Sequence, residues 1–352
     1  MSRRAIQGTA QQRERLVEVS EEARALVEAV EVVDLHVETY IPVRLVGYRI
    51  DRRHRPFLGG RFFGHLDLPR IRESGLSGAM WSVTTNPFRS AAGRYRILGE
   101  NLRRLRTRLE ATGQVEVVRS AAEYRAARRR GRHAALLAVQ GGNALDAWPE
   151  HLPPPKDLVR VTLVHLTPSR VGATSTPINF FRSRGLTPHG RRLVERLDQH
   201  RVFVDLAHIH PRAFWEAVDV HDASLPLLVT HTGVTGVRPH WRNIDDAQIR
   251  AVAETGGVVG IIFQAAFLRR RGGPADLGMV LEHAEHVIRV AGEDAVAFGS
   301  DYDGAIVPPP DLRDGLAWPR LAQGMLGRRW PLRRIEKALG GNALRCLETM
   351  RG

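Results

Sequence analysis

A chain of 352 residues, 43% of them hydrophobic, can bury a large core and suits one large α/β barrel or two ordinary domains. Its single cysteine, Cys346, excludes an internal disulfide and any cysteine-based zinc cluster, so a metal here must be held by histidine and carboxylate. The net charge of +14 comes almost wholly from arginine, with lysine only at Lys156 and Lys337, and its densest run, Arg128 to Arg132, has no interleaved aromatics to stack on bases, which argues against a nucleic-acid partner.

The first thirty residues read as a polar and charged N-terminal helical extension around Leu16, Val17, Val19 and Leu26. They lack the apolar stretch of a secretory signal, and no run of about 18 apolar residues follows. The expectation is a cytoplasmic protein with no membrane partner. From residue 31 to 352 the chain alternates short apolar runs with amphipathic segments. Strands are expected near Val32–His36, Gly78–Val83, Ala134–Val139, Val159–His165, Val202–His208, Leu227–His231, Val258–Phe263 and Ala295–Ser300. Eight near-continuous apolar runs separated by helical patterns predict parallel strands buried on both faces, closed into a single (β/α)8 barrel. An open doubly wound sheet is the competitor, but the Gly-rich phosphate turn that usually marks it is missing. Residues 40–64 and 167–188, rich in Gly, Pro, Arg and aromatics, read as long loops on the face where barrel enzymes build their sites.

Several strands end in a side chain able to bind metal. Alternation along Asp34-Leu35-His36-Val37-Glu38 points Asp34, His36 and Glu38 to one side. His165 ends the fourth run, Asp205 and His208 the fifth, His231 the sixth, and Asp301 and Asp303 follow the eighth. Any one of these is unremarkable at a strand end. Four of the fifteen histidines, each closing a separate strand at its C-terminal end, form a pattern that suits Zn2+, Fe2+ or Mn2+. The other eleven are assigned to surface or packing roles.

At these residues the chain resembles the membrane dipeptidase (renal dipeptidase, peptidase M19) family of the amidohydrolase superfamily. The motifs run in that family's order from about Val33 to Leu347. They are Gly64-His65-Leu66-Asp67-Leu68-Pro69-Arg70, Met80-Trp81-Ser82-Val83, Gly141-Gly142, Gly185-Leu186-Thr187-Pro188 with Gly190, and Val204-Asp205-Leu206-Ala207-His208. His231-Thr232, Arg242-Asn243-Ile244-Asp245-Asp246, Gly299-Ser300-Asp301-Tyr302-Asp303-Gly304 and Gly340-Gly341-Asn342-Ala343-Leu344 complete the set. The resemblance implies a metallo-dependent hydrolase with a two-zinc site that activates water against a dipeptide amide. It implies that His36 and the acidic residue two further on, Glu38, hold the first metal, and His208 and His231 the second. Asp301 beside the first metal handles the proton, His165 orients the tetrahedral intermediate, and Arg242 receives the substrate carboxylate. A homodimer is implied in the same way.

Two departures fall at the metals. The family's third strand ends in a glutamate that bridges them, and here that position is Gln140. A neutral amide offsets little of the repulsion between two dications about 3.5–4 Å apart, so a second ion is expected to bind weakly. Glu38 stands where the family usually has aspartate, and its extra methylene displaces the carboxylate by roughly 1.5 Å. The substrate shell changes too, at Leu166-Thr167-Pro168-Ser169-Arg170 and at Ile262-Phe263-Gln264. The expected function is a metal-dependent hydrolase of a dipeptide-like amide or related C–N bond with an altered site. The alternative is a catalytically silent or repurposed barrel that binds a small molecule or partner. Arg242 hints at a carboxylate-bearing ligand, although Asp245 or Asp246 could equally pair with it.

Overall fold

The computed structural model describes residues 16–55, 59–167, 169–177 and 185–352. All eight expected runs contain strands: β1 (Val33–Val37), β2 (Gly78–Thr84), β4 (His133–Gln140), β5 (Leu158–Thr162), β6 (Phe203–Asp205), β7 (Leu228–Thr232), β8 (Val258–Ile261) and β9 (Val296–Phe298). They pair in parallel in the order β1-β2-β4-β5-β6-β7-β8-β9. A ninth strand, β3 (Val115–Val117), lies off this path and pairs with the start of β4. The barrel is nearly closed. Between its first and last strands the ladder is completed beyond β9, where Asp301 N donates to His36 O (3.0 Å) and Glu38 N to Tyr302 O (2.8 Å). The seam therefore runs through the residues that carry the candidate chemistry.

Helices between the strands follow from ordinary signals. Ser90, Ser120, Thr187 and Asp276 cap α4 (Ala91–Glu110), α5 (Ala121–Arg129), α6 (Pro188–Gln199) and α10 (Leu277–Ala291) through their side-chain oxygens. Asp245 and Gln248 form a reciprocal capping box at α8 (Asp246–Glu254). The stretch expected as a loop over 40–64 instead starts with α2 (Tyr40–Val46), whose proline sits in the first turn, where a missing N–H costs nothing. Of the expected N-terminal extension, residues 1–15 lie outside the described residues. Within the rest, α1 (Glu21–Ala29) buries Ala23 and Val27 against the core.

Two glycines position the site directly. A Cβ on Gly260 or Gly299 would come within 2.1 or 1.9 Å of Thr230 O, so only glycine admits the backbone that carries Thr230 and His231. Among the described residues no helix is long and apolar enough to cross a membrane.

Candidate metal centre

The C-terminal ends of the strands gather the expected side chains at one mouth. His36 and Glu38 come from the end of β1, Gln140 from the last position of β4, and His231 from β7. His208 follows β6 by three residues and Asp301 follows β9 by three. Both sit at positive φ (65° and 63°), a strained backbone for non-glycine residues that here turns the side chains inward.

The rings and carboxylates converge. The His36 and His231 rings stack with centroids 4.0 Å apart, and His208 and His231 meet Nε2 to Nε2 at 2.8 Å. His36 Nε2 lies 3.5 Å from Asp301 Oδ1 and 3.9 Å from Glu38 Oε1. Gln140 Nε2 is 3.4 Å from His208 Nε2, which puts the amide between the two halves of the mouth. His165 stands at the rim, partly exposed, edge-on to His208 at 4.8 Å.

Burial sets the protonation of this cluster. His36, His208 and His231 are pushed well below the usual imidazole range by burial first and then by neighbouring Arg160, Arg242 and one another; Gln140 beside His36 works in the opposite direction. Burial, assisted by Arg242, takes His165 down to about 4. The rings are neutral and carry lone pairs. Burial raises Glu38 to about 8, against the pull of Arg160, and raises Asp301 well above the carboxylate range with Glu38 adding to it. Burial also brings Arg242 down to about 10.

The donor set fits a cation. His36 Nε2, Glu38 Oε1, Gln140 Oε1 and Asp301 Oδ1 are buried and without a hydrogen-bond partner, an arrangement that costs free energy unless a positive ion satisfies it. Donor atoms of His36, His231 and Asp301 all lie within 4.8 Å of one another. The 2.8 Å between the His208 and His231 nitrogens is near the ~3.3 Å of two nitrogens on one tetrahedral ion at about 2.05 Å.

Other strand-end carboxylates are turned to structural work. Both oxygens of Asp34 are occupied by Ser300 and the His36 N–H. Asp303 accepts from Gly64 N, His65 N and Thr39 Oγ1. Asp205 accepts from Ala207 N, Thr230 N, Thr230 Oγ1, Thr162 Oγ1 and Arg160 Nη1. Arg242 pairs with neither neighbouring aspartate: Asp245 caps α8, Asp246 binds His286 at 2.6 Å, and Arg242 Nη2 donates to His231 O at 3.0 Å. Its Nε is buried and unpartnered.

Sequence reasoning missed Arg160. This wholly buried guanidinium in the middle of β5 reaches His36, Ser82, Thr162 and Asp205 beneath the mouth. The signal was a single charge inside the apolar run Leu158-Val159-Arg160-Val161.

A profile of the membrane dipeptidase family (Peptidase family M19) matches residues 20–351. The chain belongs to that family. Among solved structures it is similar to the dipeptidase AC, a metallopeptidase of family M19, at 27% identity and TM-score 0.78, covering 92% of this chain and 99% of that one. It is similar also to a metallopeptidase from Rhodobacter sphaeroides liganded with a phosphinate mimic of the dipeptide L-Ala-D-Ala, at 26% identity and TM-score 0.79, covering 91% and 99%. Among curated relatives, an uncharacterized protein in the pqqA 5′ region of Klebsiella pneumoniae is 36% identical over 169 residues, which are 47% of this chain and 61% of that protein's length. Family and fold are those of metal-dependent hydrolases.

Proposed function

We propose that the protein hydrolyses a dipeptide-like amide or a related C–N bond, using a divalent cation such as Zn2+ held among His36, Glu38, Gln140, His208, His231 and Asp301, with Gln140 in place of a bridging carboxylate. The observation that carries this reading is the set of four buried, unpartnered ligand atoms facing one another at the barrel mouth. A cation bound there lowers the pKa of water and polarises a carbonyl oxygen.

The chain's own residues supply the remaining parts. A cation beside Asp301 would favour its ionised form against the effect of burial, and its Oδ1, free of hydrogen-bond partners, would then take the proton of an attacking water and pass it to the leaving amine. Neutral His165 at the rim offers an N–H to the oxygen on which charge develops. Arg242, with a spare buried Nε, presents a guanidinium to a substrate carboxylate. The Rhodobacter relative's dipeptide-mimic ligand supports the substrate class.

Gln140 favours a second reading, a barrel that binds such a ligand without turnover. Turnover of a dipeptide panel that includes L-Ala-D-Ala decides between the two. Under the first reading chelation abolishes hydrolysis, and Asp301→Asn removes it while metal stays bound. Well-folded, metal-loaded protein with no turnover across the panel supports the second.

A further inference from the structure

The loops that follow β1, β8 and β9 enclose a cleft of about 620 Å³ on the face of the barrel that carries the metal centre. The ends of β1 and β9 also deliver His36, Glu38 and Asp301, and Val307 in the cleft wall stands six residues beyond Asp301. Hydrogen bonds lock the three loops together. Phe62 N donates to Ile306 O (2.7 Å), Ala265 N to Val307 O (3.1 Å), and Val307 N to Gln264 Oε1 (2.9 Å). Gln264 is one of the positions at which the substrate shell departs from the family, so the cleft adjoins that shell.

The cleft is stiff, roomy and cationic. Pro308-Pro309-Pro310 fixes φ at three successive residues of one wall. Gly59, Gly60, Ala265 and Ala266 bring nothing larger than a methyl group, which keeps the space open. Arg61, Arg269 and Arg313 line it, and no acidic residue does. Arg269 Nε donates to Gly273 O at 2.6 Å, whereas among the described residues neither Arg61 nor Arg313 has a side-chain hydrogen bond or ion pair. Surface residues Arg106, Arg125 and Arg130, by contrast, each have a carboxylate partner, in Asp157, Glu348 and Glu116. Three guanidinium groups around one cleft repel one another, and an anion entering between them relieves that repulsion. Their fork of N–H donors matches a carboxylate.

We propose that this cleft is a subsite for a negatively charged side chain, so that the protein selects dipeptides carrying a carboxylate besides the C-terminal one received by Arg242. Arg61 and Arg313 are then specificity-determining residues. Arg242 comes from the loop after β7, so the two carboxylates are received on different loops and do not compete. The proposal rests on the hydrolase reading for the rest of the substrate.

The test compares Ala-Ala with Ala-Asp, Ala-Glu, Asp-Ala, Glu-Ala and the matching lysine dipeptides, in L and D forms, on the full zinc-loaded chain. At least one acidic peptide should exceed Ala-Ala in kcat/KM by about 10-fold or more, through KM and not kcat. That advantage should shrink as salt rises from about 0.05 M to about 0.5 M. Replacing Arg61 and Arg313 together by glutamine should cut the acidic-to-neutral ratio by about 10-fold or more. Replacing both by glutamate should turn the preference toward the lysine dipeptides, a gain that damaged protein does not show. Acidic peptides no better than Ala-Ala, or a preference that survives both double variants, overturns the proposal. Calorimetric binding of the same peptides to protein in EDTA separates the two ideas. Selective binding of acidic peptides without hydrolysis in zinc sinks only the catalytic reading, hydrolysis without acidic preference sinks only this one, and neither binding nor hydrolysis sinks both.

Discussion

Asp205→Asn should be among the costliest single-atom changes in the barrel. The Oδ2 atom of Asp205 accepts from three donors, Arg160 Nη1 at 2.5 Å, Thr162 Oγ1 at 2.6 Å and Thr230 Oγ1 at 2.7 Å, while Oδ1 takes the N–H groups of Ala207 and Thr230. In asparagine the Oδ1 pair survives, but an NH2 replaces Oδ2. The two hydroxyls can rotate to donate elsewhere; the guanidinium cannot, and both charged partners are fully buried. Removing one member of such a pair costs about 3–5 kcal/mol. In a chain of this size each kcal/mol lowers Tm by roughly 2 °C, so thermal unfolding should drop by about 6–10 °C. Because Thr230 then loses its anchor for His231, zinc affinity should fall by about 10–100-fold in the protein that remains folded. The control is Arg160→Met with Asp205→Leu, which removes both charges and should cost less than the sum of the single changes. A loss below about 1 kcal/mol for Asp205→Asn would show that water or another group neutralises Arg160, and would falsify this view of the barrel floor.

Gln140→Glu adds a carboxylate beside Glu38 and Asp301, whose carboxyls burial already disfavours as ions, so the chelated variant should be less stable than wild type by about 1–3 kcal/mol. With zinc present the order should reverse, since a unit charge about 4 Å from the ion contributes up to about 4 kcal/mol; lower Tm in both EDTA and zinc would contradict the argument. Arg242→Ala should raise KM for free dipeptides by about 10–100-fold and leave C-terminally amidated ones unaffected, which parallel kinetics on the two substrate sets would check. His133, buried with Trp81 Nε1 donating to its Nε2 and Leu76 O accepting from its Nδ1, is pushed down to about 4 by burial. The unfolded chain binds a proton there that the fold does not, so its contribution is present above about pH 6.5 and is lost as pH falls toward 4, by about 3 kcal/mol. His133→Gln should flatten that part of a urea-measured stability profile, and an unchanged acid limb would place the transition elsewhere.

The barrel was legible because parallel strands buried on both faces leave unbroken apolar runs, and every expected run contains a strand. β3 escaped notice because Val115-Glu116-Val117 is three residues long and only Val115 is buried. The helix over Tyr40–Val46 was hidden by Pro42, which reads as a breaker unless its place in the first turn is known. Alternation along β1 correctly grouped Asp34, His36 and Glu38, yet it could not say that Ser300 would occupy both oxygens of Asp34 and leave Glu38 facing the mouth. The role of Arg160 lay beyond any local pattern, since its four partners come from β1, β2, β5 and β6 and meet only when the barrel closes.

That division separates positions that tune chemistry from positions that hold the scaffold. Gln140 Oε1, Glu38 Oε1 and Asp301 Oδ1 have no protein partner, so exchanging carboxylate for amide at such an atom breaks no hydrogen bond in the barrel and acts on the charge offered to a cation. Beneath them, Asp205, Thr230, Thr162, Ser82 and Arg160 are joined donor to acceptor, and a change at any one leaves a buried group unmatched. Glutamine is therefore compatible with the end of β4 without cost to the fold, and its effect falls on metal number and affinity. An equivalent loss of charge one layer lower, at Asp205, acts on folding before it reaches the metal. The mouth can change its chemistry by single substitutions as long as the layer of hydrogen bonds under it stays intact.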